Sequence, residues 1–205
     1  MGMAESTNHY FKHLGVSDGL SQVCIPSIYQ DELGAVWLGT TEGLNRYNGK
    51  DVRVFQPSES NHGLTNNEIN ELCGDKNGRM YIRSGNDLIK LDIYTEQFTC
   101  LRQKGVYGLF CKKDTLWVSC ADGIYYYTGQ GTELTFFARV QKGFVGRALY
   151  VDRETVWVVT RKYLVAISRE DPLRQEILLT LDKGNCILGD SSGNIWVGAW
   201  NGLYR

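Results

Sequence analysis

At 205 residues, with 42% hydrophobic and 22% charged content, the chain has the size and composition of an ordinary globular domain. Its 22 basic residues against 23 acidic ones leave a formal net charge of -1 with no block of like charge, which excludes a surface built to grip nucleic-acid backbones or anionic lipid. Apolar runs such as Tyr163 to Ile167 fall far short of the about 20 residues that span a bilayer.

Aromatic content of 12% and 23 glycines against 3 prolines suit many short strands joined by tight turns. Residues 1–9 are expected to be a disordered tail or an added start. Met1 to Asn8 is polar and lacks the apolar centre of a secretory signal, and a second methionine follows at Met3. Residues 10–205 read as one repeat-built domain.

The first unit predicts strands over Cys24 to Gln30, Ala35 to Thr40, Gly43 to Tyr47 and Asp51 to Gln56. Asp31 is placed to accept hydrogen bonds from turn amides, and Gly34 to supply the positive φ of a hairpin. The run Val36-Trp37-Leu38-Gly39 is a strand buried on both faces, with Gly39 leaving room for a neighbouring sheet. Asn48-Gly49 predicts a two-residue type I′ hairpin into the fourth strand.

Sliding the chain by 44 residues superposes a second unit on the first without a gap. Asp31 falls on Asp75, Gly34 on Gly78, Trp37 on Tyr81, Leu44 on Leu88 and Arg46 on Lys90. Three further units follow with small gaps. Their aromatic anchors, Trp37, Tyr81, Trp117, Trp157 and Trp196, are separated by 44, 36, 40 and 39 residues. A period near 40 with four strands per unit is the spacing of propeller blades. The third unit keeps Trp117-Val-Ser and Asp122-Gly123-Ile124-Tyr125, the fourth Trp157-Val-Val-Thr160. The fifth restores the full pattern from Asp190 and Gly193 to Trp196, Gly198 and Gly202.

The expected fold is therefore all-β, a β-propeller of about five four-stranded antiparallel blades. The last blade stops at Arg205 without its own outer strand, whereas Tyr10 to Leu14 matches an outer strand and has no blade before it. The chain is expected to be part of a seven-bladed ring, with closure into five blades through those matching ends as the competing arrangement.

The pattern from Asp31 to Tyr47, with the openings Asp18-Gly19-Leu20-Ser21 and Gly63-Leu64-Thr65-Asn66-Asn67, resembles the two-component regulator propeller repeats in the sensor regions of Bacteroides-type hybrid two-component systems. The resemblance covers residues 10 to 205 and is most specific in the first and fifth units. It implies an N-terminal portion of a periplasmic sensor that responds to glycan-derived oligosaccharides. The implied partners are an oligosaccharide or other small ligand bound through the complete receptor, the receptor's remaining sensor domains, and a second copy in a homodimer. No cofactor is implied. The kinase and membrane helix of such receptors lie outside this pattern, so signalling is not performed by these residues alone.

Rival functions leave specific marks. A propeller glycosidase needs facing carboxylates in its channel. Among the inner-strand positions only Glu68 and Glu71 are acidic, and an offset of three puts them on opposite faces. A streptogramin-lyase-like propeller shares the Gly-x-x-Trp strand but needs catalytic histidine and acid on one face, and His9, His13 and His62 fall in a tail, an outer strand and a loop. The sialidase aspartate box is one residue tighter than the spacing here. A protein-interaction scaffold of the WD-repeat kind is the remaining alternative, although its Gly-His and Trp-Asp dipeptides are absent.

Cys24, Cys73, Cys100, Cys111, Cys120 and Cys186 include no Cys-x-x-Cys pair, so no metal site is expected; they read as thiols filling core gaps, with a Cys111–Cys120 bridge an open alternative. The single candidate ligand contact is Trp200, in the turn where other units carry Glu42, Asn86 and Asp122. An aromatic there would stack on a sugar ring or pack on a neighbouring loop. Arg161-Lys162 and Lys112-Lys113 read as solvated corners.

Overall fold

The computed structural model describes residues 11–57, 63–102 and 104–205. They form five antiparallel sheets, each a meander running outward in chain order. Blade one comprises β1 (Ser27–Gln30), β2 (Val36–Thr40), β3 (Gly43–Tyr47) and β4 (Val52–Phe55), and blade two β5 (Ile69–Gly74), β6 (Arg79–Ser84), β7 (Asp87–Asp92) and β8 (Gln97–Arg102). Blade three follows with β9 (Val106–Lys112), β10 (Thr115–Cys120), β11 (Gly123–Tyr127) and β12 (Thr135–Ala138). Blade four has β13 (Gly146–Val151), β14 (Thr155–Thr160), β15 (Tyr163–Ser168) and β16 (Gln175–Thr180); blade five has only β17 (Cys186–Gly189), β18 (Ile195–Ala199) and β19 (Gly202–Tyr204). The expected tail, residues 1–9, lies outside the described residues.

A hydrogen-bonded clamp shapes the first hairpin of most blades. Asp31 Oδ1 accepts the amides of Leu33 at 3.0 Å and Ala35 at 2.8 Å, while its Oδ2 accepts the indole N–H of Trp37 at 2.8 Å. Gly34 takes φ 87° to close the turn. Asp190 repeats the clamp on Trp196 at 2.8 Å, and Asp152 repeats it on Trp157 at 2.6 Å. The indole bond is absent from a reading of turn chemistry alone. Asp152 also escapes the repeat pattern, because its turn is one residue shorter than that of Asp31 or Asp190. In blade two Asp75 turns instead to the Arg79 guanidinium, and the Tyr81 hydroxyl, buried at the indole position, has no partner. Blade three has no such aspartate; Lys113, at φ 51°, closes a tight turn with Asp114.

The anchors face forward. Trp37 packs with Ile69, Leu72, Met80 and Ile82 of blade two, and Tyr81 with Val106, Leu109, Leu116 and Tyr127 of blade three. Trp117 joins Leu149, Val151 and Val158 of blade four, and Trp157 borders the smaller core of Val159, Leu164 and Val197. Each interface between consecutive blades is thus a separate hydrophobic core, as expected of face-to-face sheets. Tyr81 meets Tyr127 edge-on at 6.0 Å, which places the last of the Tyr125–Tyr127 run between blades.

Among the described residues no further blade packs in front of Trp196. Inner strands stack in sequence, β1 on β5, β5 on β9, β9 on β13 and β13 on β17. Ile28 on β1 and Leu188 and Leu203 on blade five remain 63%, 64% and 69% exposed. Residues 11–14 form no strand, and Lys12 Nζ donates to the Tyr47 hydroxyl of blade one rather than joining β19. Closure into five blades through those residues is therefore not made among the described residues; Tyr10 lies outside them.

Two local expectations are corrected. Asn48-Gly49 is not a two-residue turn: Tyr47 pairs with Val52, and the four-residue loop between them is held by the Asn48 carboxamide, which accepts the amides of Lys50 and Asp51 at 2.9 and 2.7 Å. Cys111 and Cys120 cannot pair, because they sit at opposite ends of the β9–β10 ladder, opposite Leu116 and Val106 respectively.

Two predictions follow from the clamp and the packing. A Cβ on Gly39 would stand 2.8 Å from Ile69 Cγ2 and 3.0 Å from its carbonyl oxygen. Gly39→Ala is expected to lower stability by about 1–3 kcal/mol in denaturant melts, by forcing blade two outward. Bonds from Trp196 and Asn194 hold the Asp190 carboxyl down at about 2; Asp152 also lies below the ordinary range, burial opposing the shift and the bonds from Trp157, Glu154 and Thr155 together with the Lys112 charge outweighing it. A depressed folded value stabilises above the ordinary carboxylate range and is lost as pH falls towards about 2. Acid titration followed by tryptophan emission is expected to show a transition in that window, weakened in Asp190→Asn.

Candidate functional site

The described inner strands do not carry a hydrolytic carboxylate pair. Glu68 is exposed and accepts from Asn70, whereas Glu71 spans two blades, accepting the Leu109 amide of blade three at 3.1 Å and the Arg83 guanidinium at 3.3 Å. Burial pushes the Glu71 carboxyl above its ordinary value, although Arg83 and the Leu109 amide oppose the shift. Glu71 does for blade three what Ser27 does for blade two, where its hydroxyl accepts the Leu72 amide at 2.9 Å. Both are structural links. His13 is exposed, His9 and His62 lie outside the described residues, and no three potential metal ligands gather among the described residues. Among them, too, no helix is long and apolar enough to cross a membrane.

The most developed cleft lies where blades four and five meet, on the face carrying the turns between second and third strands. The connector 181–185 is strapped across it by backbone bonds. Leu181 donates to Lys162 O at 2.7 Å, Gly184 to Arg161 O at 3.0 Å, and Asn185 to Gly198 O at 3.0 Å. Trp200 closes the far side by donating its amide to Asp182 O at 2.8 Å. The resulting cleft encloses about 570 Å³ between Arg147, Arg161, Lys183, Asn185, Cys186 and Trp200. A second cleft of about 310 Å³ shares Arg147 and Arg161 as a common wall and adds Tyr107, Phe144 and Lys162.

Trp200, the sequence candidate, thus stands on the rim of a cleft, 78% exposed, with the Lys183 ammonium 4.7 Å from its ring centre. Strand register corrects its place in the repeat. Trp200 is level with Thr41, Gly85 and Ala121, and Asn201 is level with Glu42, Asn86 and Asp122. Arg161 and Lys162 are exposed turn residues, as the sequence suggests, and they also line these walls, Arg161 in both clefts and Lys162 in the second. Arg147, Arg161 and Lys183 were not legible as a set, since they come from an inner strand, a turn and a connector, and only the stacking of blades four and five brings them together.

Chemically, the walls present cations and aromatic faces, and neither cleft is lined by a carboxylate or a histidine. Such a surface can hold an anion, or a ring with an apolar face, without the paired acid and base that hydrolysis requires.

Fold and repeat together define a β-propeller. Residues 19–42, covering the first hairpin and its clamp, match the family model described as two component regulator propeller. Over 53 residues the chain is 38% identical to histidine kinase P4 of Formosa agariphila, a match covering 26% of this chain and 4% of that protein. It superposes with a TM-score of 0.82 and 23% identity on the extracellular domain of the hybrid two component system BT3049 from B. thetaiotaomicron, over 94% of this chain and 30% of that one. The fold alone is also shared with a streptogramin B lyase, at a TM-score of 0.65 and 15% identity over 92% of this chain and 71% of that one. The chain spans about a third or less of the histidine kinase and of the two component system domain.

Solvent exposure of the five tryptophans gives a direct check on the cleft. Trp37 is fully buried and Trp117 is 5% exposed, against 78% for Trp200. Trp200→Phe is expected to remove most of the acrylamide-quenchable emission while leaving the far-ultraviolet dichroism unchanged.

Proposed function

We propose that this chain is a ligand-binding portion of an extracytoplasmic, periplasmic sensor in a two-component receptor, and that it binds an acidic oligosaccharide in the cleft between blades four and five. The observation carrying the reading is the cleft itself: three cationic side chains, Arg147, Arg161 and Lys183, converge beside the exposed ring of Trp200. A sugar ring presents an apolar face that stacks on an indole, and a carboxylate or sulfate on that ring is matched by guanidinium groups. The likeness to extracellular sensor domains supports the location and the signalling context. The absence of carboxylates from the two cleft linings favours binding over glycoside cleavage. The receptor's further sensor blades are the natural cover for the exposed faces at Ile28 and at Leu188 and Leu203.

The test is calorimetry with a panel of neutral, uronate-bearing and sulfated oligosaccharides. Saturable binding of an acidic member, weakened about tenfold or more by Arg161→Ala and by Trp200→Ala and reduced by salt, is the expected result. Equal affinity for neutral sugars, or binding indifferent to both substitutions, would remove this cleft as the site. Conversion of a ligand into product would overturn the non-enzymatic reading.

A further inference from the structure

The inner strands pack blade on blade through a repeated device. In each of blades one to four one inner-strand residue stands opposite the aromatic anchor: Tyr29 opposite Trp37, Cys73 opposite Tyr81, Phe110 opposite Trp117 and Tyr150 opposite Trp157. That residue reaches towards the next blade, where the receiving position lies one residue further along the inner strand. Gly74 receives Tyr29, and a Cβ there would lie 2.1 Å from the tyrosine oxygen. Gly189 receives Tyr150 in the same manner, with 2.1 Å to the ring. Phe110 packs against the core that contains Val151. Three of the interfaces thus set an aromatic ring against a glycine or a valine. The interface between blades two and three is different in kind. Cys73 is the reaching residue and Cys111 the receiving one, and their sulfurs lie 2.8 Å apart.

Unbonded heavy atoms settle at roughly 3.5–4.0 Å, and a disulfide needs about 2.05 Å. The two free thiols already stand inside the first distance, held there by strands β5 and β9 of separate sheets. We propose that Cys73 and Cys111 are a disulfide-forming pair that staples blade two to blade three. The oxidant is a disulfide, small-molecule or protein. One cysteine thiolate attacks a sulfur of the oxidant, expelling one oxidant thiolate and leaving a mixed disulfide. The second cysteine sulfur then attacks the protein sulfur, forming the Cys73–Cys111 bond and releasing the other oxidant thiolate. Two protein thiols are oxidised, one disulfide is reduced to two thiols, and the two protons pass to the leaving thiolates.

Two properties of the site set how the bond behaves. Burial, reinforced by the neighbouring Cys111 and Glu71, pushes the Cys73 thiol well above its ordinary value, so exchange in the folded chain is slow. The bond therefore forms most readily while the chain is folding, and once formed it is shielded from reductants. It ties positions 38 residues apart and encloses β6, β7 and β8, so its constraint on the unfolded chain is substantial. Extracellular location of the similar sensor domain matches the compartments in which such bonds persist.

The unaltered chain, refolded in a buffer of oxidised and reduced glutathione, decides the matter without relying on a variant. Tryptic mapping under non-reducing conditions is expected to show Val54–Lys76 joined to Gly105–Lys112, and thiol titration in denaturant to find two fewer than the six thiols of the sequence. The linked form is expected to melt roughly 5–10 °C above the reduced form. In Cys73→Ser and in Cys111→Ser, oxidised and reduced samples should melt together. Recovery of both peptides fully alkylated after oxidative refolding would overturn the pairing, as would either cysteine bound to a different partner. A linked form melting no higher than the reduced one would overturn the staple.

Discussion

A carboxylate at the mouth of the first hairpin performs two tasks that are normally separate. One oxygen of Asp31 satisfies two turn amides, and the other fixes the indole of Trp37 by its only polar atom. The first task sets the turn, and the second sets the direction of the largest side chain in the blade. An indole held in one orientation offers a defined surface to the next sheet, so a local bond becomes an inter-blade specification. Where the clamp is altered, the bond between aspartate and anchor is not made. In blade two Arg79 occupies the aspartate, and Tyr81 keeps its hydroxyl buried without a partner. In blade three the turn shortens, and the Lys112 ammonium reaches over to donate to Val151 O of blade four at 2.7 Å.

The architecture was largely legible because the clamp and the glycines are written at fixed offsets. Asp31, Gly34, Trp37 and Gly39 each carry a local constraint, and a shift of 44 residues reproduces most of them. The fourth unit, reduced to Trp157-Val-Val-Thr160, reads most weakly because its aspartate, Asp152, sits one residue closer to the anchor than in the first and fifth. The Asn48 loop misled for a related reason. Its dipeptide suits a two-residue turn, yet the asparagine side chain caps a longer one by accepting two amides.

The cleft was only partly legible. Trp200 stands out because a bulky aromatic in a turn breaks the local rule for turns. Arg147, Arg161 and Lys183 break no local rule, and each alone is an ordinary surface charge. Their meaning lies in the docking of two blades and in the connector strapped between them, which no periodicity records. The same holds for Cys73 and Cys111. They occupy successive rather than identical positions of the repeat, and only the offset between neighbouring inner strands makes them meet.

Forward-facing anchors give the molecule a direction. Each blade hands its largest apolar surface to its successor, so nearest-neighbour contacts pass rigidity along the arc as in other repeat proteins. At the far end of the arc, among the described residues, no further blade packs against Trp196. It shares strand β18 with Gly198 and Ala199, which help form the floor of the cleft beneath Trp200. Whatever surface docks on Trp196 therefore bears on that floor through a single strand. The open end of the arc and the floor of the cleft are thus built from the same strand.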